Sequence, residues 1–182
     1  MDTLKLDFGC GISKKQGFIG IDIIPFVGVD KVHDLNKFPY PFENDVASEI
    51  WMDNVLEHLE KPMIVLEELF RIAKNHAKIT IAVPYFRSFY AYIDPTHRNF
   101  FSAGYFNYFD PDHAFFQKYQ YSKVRFGVRK IEFDREWKGK MSFIRRMFVR
   151  FAEKHPLGYE ASLSHLLPLN SLTFYLEVLK YD

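Results

Sequence analysis

A single cysteine, Cys10, stands among the 182 residues, so no disulfide can close within the chain. Such usage fits a reducing, cytoplasmic setting. No apolar run is long enough to span a bilayer. The first apolar strand starts within a few residues of Met1, so no secretory leader is expected. Neither sign of charge prevails: 24 Lys and Arg face 23 Asp and Glu, a net +1. That balance argues against a nucleic-acid partner, whose binding needs a basic footprint. Cys and His at zinc-ligand spacing are missing too, and no metal is expected. What is plentiful is aromatic: 20 Phe and 11 Tyr help bring the aromatic share to 18 %, densest in the middle of the chain. With 48 % apolar residues the length suffices for a proper core, and 1–182 reads as a single domain.

The organising stretch is residues 4–22, LKLDFGCGISKKQGFIGID. Residues 4–8 predict a short buried strand, which Gly9-Cys10-Gly11 ends. Two glycines around one residue allow a sharp turn and let a ligand approach without meeting a Cβ. Residues 18–21 predict a second strand, ending on Asp22. A glycine turn after one strand and a carboxylate at the end of the next is how a doubly wound sheet holds a nucleoside. A dinucleotide fingerprint would add a third glycine, a full helix and an acid about 20 residues on. Here only residues 12–17 separate Gly11 from the second strand, and no full helix fits. Without a helix N-terminus a pyrophosphate loses the dipole and free N–H groups that hold it. NAD and FAD are therefore disfavoured. A ligand with ribose and adenine but no phosphate fits better.

A short third strand is expected over 29–32, with Asp34 where it would end. That carboxylate can accept from an adenine amine while the Leu35 N–H donates to a ring nitrogen. It equally suits a turn or cap. Residues 37–44 are a Pro-rich loop, and 46–52 read as a fourth strand. Pro62 opens a helix whose stripe is Ile64, Val65, Leu66, Leu69 and Ile72. Residues 77–83 (AKITIAV) are nearly all apolar and predict a central fifth strand covered on both faces. The order implies a mostly parallel α/β sheet with thin early crossovers.

LDFGCG, GIDI, HDLNKFPYPFEND, NVLEHLEKP and KITIAVPY, in this order over about residues 4–85, resemble class I S-adenosylmethionine-dependent methyltransferases. The small type 11 group is the nearest in pattern. The resemblance implies a Rossmann-like seven-stranded sheet, mostly parallel with an antiparallel strand at its C-terminal edge, and S-adenosyl-L-methionine as cofactor. It places Asp7, Gly9 and Gly11 along the methionine part, Asp22 on the ribose, Asp34 and Leu35 at the adenine, and Asp53 and Asn54 beside the sulfonium. Cys10 and Ile23 complete that set. The first crossover helix is shortened or absent here. Lys14 and Lys15 either meet the methionine carboxylate or are solvated loop charges. No Asn-Pro-Pro-Tyr clamp follows the fourth strand, which weakens a DNA-adenine or protein-glutamine reading.

Residues 85–121 carry an aromatic every two or three positions around Asp94-Pro95-Thr96-His97-Arg98. The segment starts at the C-terminal end of the fifth strand, where open α/β sheets bind ligands. It reads as a cap, with most Phe in the core and Tyr85, Tyr92 and Arg98 facing the acceptor. Tyr and Phe faces also suit a sulfonium. His97 is the first choice for a general base, with Asp94 to orient it. The alternative is a histidine that holds the loop together. His58, after Glu57 at a helix entrance, is a weaker second. Cys10 lacks a base partner and reads as small and buried.

Residues 123–133 and 172–179 predict the last two strands, and 137–169 a helical insert between them. In it Phe143, Ile144, Met147, Phe148 and Phe151 share one helical face, and Arg145, Arg146, Arg150 and Lys154 the other. Such a helix covers a sheet, caps a substrate, or lies on an anionic membrane through 141–154. The break at 155–158 ends it, and 162–167 predict a short second helix. The expected function is methyl transfer to an oxygen or nitrogen of a small molecule, sugar or lipid headgroup. The alternatives are a non-catalytic methyltransferase-like binding or partner subunit, and another nucleoside enzyme such as a reductase.

Overall fold

The computed structural model describes residues 3–180. Seven strands make one sheet: β1 (Leu4–Phe8), β2 (Ile19–Asp22), β3 (Lys31–Val32), β4 (Ala47–Asp53), β5 (Ala73–Pro84), β6 (Phe126–Phe133) and β7 (Ser171–Val178). Their spatial order is β3-β2-β1-β4-β5-β7-β6. The first five run parallel. β7 is antiparallel to both neighbours and lies one place in from the edge strand β6.

Register sorts the side chains into two sets. Leu6, Ile50, Ile79 and Leu176 pair across four strands, as do Phe8, Met52, Ile81 and Phe174. All are buried. Helix α1 (Pro62–Ile72) adds Val65, Leu66, Leu69 and Ile72 to their cluster, while Ile64 stays partly exposed. Tyr40 lies 5.3 Å from the Phe8 ring, and Phe106 lies 4.7 Å from Phe174. The alternate rows are Lys5, Glu49, Lys78 and Glu177, then Asp7, Trp51, Thr80 and Tyr175. Lys5 and Lys78 are exposed, and a groove of about 500 Å³ runs past Trp51, Lys78, Thr80 and Tyr175. The expectation that β5 is covered on both faces holds over residues 79–84, all buried, with Thr80 and Ala82 of the polar row among them; the start of the strand, at His76 and Lys78, is exposed. Lys78 marks where the cover on the second face stops.

The first crossover holds no helix. Gly9 and Cys10 N–H groups donate to the Ile21 carbonyl, Lys15 N–H to Asp7 Oδ2 (2.7 Å), and Gly11 N–H to Asp22 Oδ2 (2.8 Å). Two carboxylates thus satisfy amides that a helix would have paired. Gly20 leaves the space: a Cβ there would meet Lys14 Cδ at 2.7 Å and Cys10 Sγ at 2.8 Å. The Pro-rich loop between β3 and β4 is pinned by Arg71, which donates to Glu68, Tyr40 O and Phe42 O.

Beyond β5 come the short helices α2 (Tyr90–Ile93) and α3 (Ala114–Tyr119). Before β7 come α4 (Phe143–Lys154) and α5 (Pro156–Ser162). The break expected at 155–158 does end α4, at Lys154, but the second helix is α5 rather than 162–167: Pro156 stands in its first turn, where its missing N–H costs nothing. α4 is turned relative to the expectation. Val149 and Ala152 are buried with Phe148 and Arg145 beside them, while Phe143, Ile144, Met147 and Phe151 face solvent. Asp134 explains the turn. It is fully buried, and Arg145 is its cation, Nε at 2.7 Å. Leaving that charge alone would cost more than exposing the apolar stripe. Among the described residues no helix is long and apolar enough to cross a membrane.

Candidate functional site

Strands β1, β2 and β4 end beside a cleft of about 610 Å³. Of the residues expected at the cofactor, Gly9, Asp22, Ile23, Asp34, Leu35 and Asn54 line it. Asp22 closes β2. Its Oδ2 accepts from Gly11 and its Oδ1 from Ile24 N–H (2.9 Å), so the carboxylate is fixed in place. Each oxygen keeps lone-pair capacity for a ligand hydroxyl. Asp34 serves both of its readings: its Oδ1 takes Asn36 N–H in a turn, and the residue still lines the cleft. Tyr40 holds this wall by donating to Leu35 O (3.0 Å).

Four members of the expected set do not line the cleft. Asp7 is buried beneath the glycine turn, and burial raises its carboxyl above the usual range. Cys10 is buried, and burial with Asp7 and Asp22 nearby pushes its thiol up, against a nucleophile. Gly11 stands outside with its N–H spent on Asp22. Asp53 is paired with Arg135 Nη2 at 2.7 Å, so its charge is already answered. Lys14 and Lys15 are occupied as well. The first pairs with Asp30 at 2.8 Å, and the second lies 3.4 Å over the Trp51 ring.

Residues 54–59 and 94–99 are clamped together. Arg98 and Asn99 N–H groups both donate to Glu57 O, and Asn99 Nδ2 donates to Leu59 O (2.7 Å). The clamp brings Glu57, His58 and His97 into one cluster. The imidazole centroids are 4.7 Å apart, and His97 Nε2 is 4.0 Å from Glu57 Oε1. Burial pushes the Glu57 carboxyl up to about 8, and Asp53 and Asp94 add to it. Burial also holds His58 below the usual imidazole range, with His97 adding to the effect.

The expected His97–Asp94 couple is corrected. Asp94 Oδ1 is taken by Thr96, from its N–H (2.8 Å) and its hydroxyl (2.6 Å), as an aspartate two residues upstream commonly is. His97 Nδ1 instead meets Ala91 O at 3.0 Å, and its side chain is 8 % exposed. His58, the weaker candidate, is the one that lines the cleft, together with Thr96.

A second cleft of about 400 Å³ adjoins the first, sharing Asn54. Tyr90, Trp137, Glu136 and Lys140 line it, with Asn170 and Ser171 from the start of β7. The Tyr90 and Trp137 rings are 6.5 Å apart, and Ser171 Oγ donates to Glu136 Oε2 at 2.8 Å. None of the residues expected at the acceptor is there. Tyr85 is fully buried among Phe86, Phe133 and Tyr159. Tyr92 donates to Phe86 O and stacks on Phe100. Arg98 pairs with Glu60 at 3.2 Å. The reading passed over Tyr90 and Trp137 because they come from distant segments. Tyr90 is one of many aromatics in its segment, and Trp137 is a lone aromatic in a polar stretch.

No protein-family model matches the sequence, and no curated protein matches it either. Solved structures do match in shape. One is an S-adenosylmethionine-dependent methyltransferase from Archaeoglobus fulgidus, 19 % identical, with a TM-score of 0.54 over 97 % of this chain and 86 % of that one. A chain from the Haloferax volcanii complex of the Trm112 methyltransferase activator and its candidate methyltransferase gives 0.58 at 16 % identity, over 99 % and 86 %. The [4+2]-cyclase SpnF gives 0.57 at 13 %, over 98 % and 76 %. That this last neighbour is named for a cyclisation shows that shape does not fix the reaction. Strand order, the antiparallel β7 and these likenesses agree on one architecture. The protein has the class I S-adenosylmethionine-dependent methyltransferase fold.

Proposed function

We propose that the protein is an S-adenosylmethionine-dependent methyltransferase acting on an oxygen or nitrogen of a small molecule, sugar or lipid headgroup. The observation that carries this is the pair of clefts joined at Asn54, one ending at Asp22 and Asp34, the other walled by aromatics. In this reading the ribose hydroxyls donate to Asp22, and the adenine lies against Asp34 and Leu35. Asn54, shared by the two clefts, would lie beside the sulfonium, which would supply the methyl group to the second cleft. The acceptor lies against Trp137 and Tyr90. Its lone pair takes the methyl, S-adenosylhomocysteine leaves, and the acceptor proton passes to Glu136 or to water. Glu136 takes the base role expected of His97, because His97 lines neither cleft.

A lipid headgroup is the favoured acceptor class. Lys140 of the second cleft comes just before α4, whose exposed Phe143, Ile144, Met147 and Phe151 are interleaved with exposed Arg146, Arg150 and Lys154. An apolar stripe rimmed by cations suits an anionic membrane surface. Sedimentation with phosphatidylserine vesicles tests it. Binding that Phe143→Ser with Ile144→Ser abolishes supports the contact, and no binding returns the acceptor to the soluble classes.

Calorimetric titration with S-adenosylhomocysteine, with NADH as control, tests the cofactor. Micromolar binding of the first alone is the expected result. Binding without turnover on any acceptor supports the non-catalytic alternative, and NADH binding supports a reductase.

A further inference from the structure

We propose that Glu57, His58 and His97 form a binding site for a divalent first-row transition cation in the wall of the larger cleft. One ligating atom from each lies within 4.8 Å of the other two. Hydrogen bonding sets the tautomers. His97 Nδ1 meets the Ala91 carbonyl, which can only accept, so Nδ1 carries the hydrogen and Nε2 a bare lone pair. His58 Nδ1 is 2.8 Å from Thr96 Oγ1, and that hydroxyl has given its one hydrogen to Asp94. His58 Nδ1 must therefore donate, and its Nε2 is bare as well. Imidazoles whose outer nitrogens are tied to acceptors, a carbonyl for one and a hydroxyl backed by a carboxylate for the other, are oriented as metal ligands are.

Glu57 is the independent observation. It is 1 % exposed, and neither carboxylate oxygen has a hydrogen-bond partner. A buried carboxyl with both oxygens unpartnered is costly whether charged or neutral, and the bare imidazole nitrogen facing it has no hydrogen to give. A cation satisfies all three groups at once. Two nitrogens and one oxygen suit zinc, manganese, iron or cobalt, with positions left for water or a ligand on the cleft side. Ligands about 2.1 Å from such an ion stand roughly 3 to 3.5 Å apart. The set closes to that by about an ångström, within side-chain reach. Zinc-type Cys/His spacing was absent from the sequence because the histidines come from separate segments.

The site stands or falls apart from methyl transfer, since its test reads the metal alone. The full chain, stripped with chelator, is titrated with CoCl₂ and with ZnCl₂ by calorimetry, and the Co²⁺ visible spectrum is recorded. One cation per chain and a raised melting temperature are expected. Glu57→Gln and His97→Ala should each weaken binding by about 100-fold or more. Thr96→Val, which keeps the ligands but removes the acceptor behind His58, should weaken it roughly 10-fold. Metal-free Glu57→Gln should melt at or near the parent temperature, because the amide keeps the shape of a carboxyl that has no hydrogen-bond partner to lose. If it does not fold, His58→Gln replaces it. Binding that survives these variants, or no Co²⁺ or Zn²⁺ binding up to millimolar, overturns the proposal. Titration of the same variants with S-adenosylhomocysteine keeps the two readings apart: retained cofactor binding with lost metal binding separates the sites.

Discussion

The two faces of the sheet share strands and register yet differ in kind. One carries Phe8, Met52, Ile81 and Phe174 beneath α1 and the aromatic segment, with no exposed atoms to spare. The other carries Lys5, Glu49, Lys78 and Glu177 in alternating charge, with Trp51 and Tyr175 half-covered. Parallel sheets are usually buried on both sides. Here the crossovers before and after β2 are too short for helices, so one side is open around Lys5, Glu49 and Lys78, while Thr80, Ala82 and Thr173 on the same side stay buried. The strand ends are untouched by this loss. Asp7, Asp22 and Asp53 all belong to the polar set, at the carboxyl ends of β1, β2 and β4. The strand ends that border the larger cleft therefore survive without helices in the early crossovers.

The largest test of that contrast is Phe174→Ala. It should cost about 3–5 kcal/mol in urea unfolding, by lost transfer energy and the cavity left behind. A cost no greater than that of Lys5→Ala, exposed on the other face, would erase the difference. Asp22→Ala sharpens it at the ligand end: about 2 kcal/mol of S-adenosylhomocysteine affinity should be lost, if two ribose bonds go to that charge. An unchanged dissociation constant removes Asp22 from the site. Trp51→Ala should cost about 1–2 kcal/mol of stability, since Lys15 and Arg135 lie 3.4 and 4.9 Å over its ring. Lys78→Ala should move stability by less than about 0.5 kcal/mol, as solvated charges do. A larger loss would mean that something covers this face.

The wet face also carries a pH signature. Burial alone would raise Glu132, but bonds from Lys138 and the Tyr175 hydroxyl, with Lys130 nearby, bring it from 4.5 down to about 2. A carboxyl depressed in the folded state stabilises fully above its unfolded value and loses that contribution as pH falls. The melting temperature should thus decline between about pH 4.5 and 2, and Glu132→Gln should flatten part of that decline. Parallel curves for parent and variant would count against the assignment.

The parts legible in the sequence were those decided locally. The glycine turn, the acids ending β2 and β3, and Pro62 at the head of α1 each depend on a few neighbouring residues. Where distant partners decide, the reading went astray. Arg145 was a surface cation in sequence and is the partner of buried Asp134 in space, which turned α4 over. His97 was paired with the nearest acid in the chain, though Asp94 closes its own turn on Thr96. The groups that meet His97 are Ala91 behind and Glu57 across, and no spacing rule joins residues 57 and 97.

Gly9 links these regions mechanically. Its φ is +68°, and a Cβ there would stand 2.3 Å from Val55 Cγ2. The turn over the larger cleft and the segment leading to Glu57 and His58 therefore bear on each other like two parts ground to a common surface. Val55 fills the space that a side chain at position 9 would take, and His58 follows it three residues along the chain, past Leu56 and Glu57. The missing side chain at position 9 is a bearing, and one methyl group placed there would jam it.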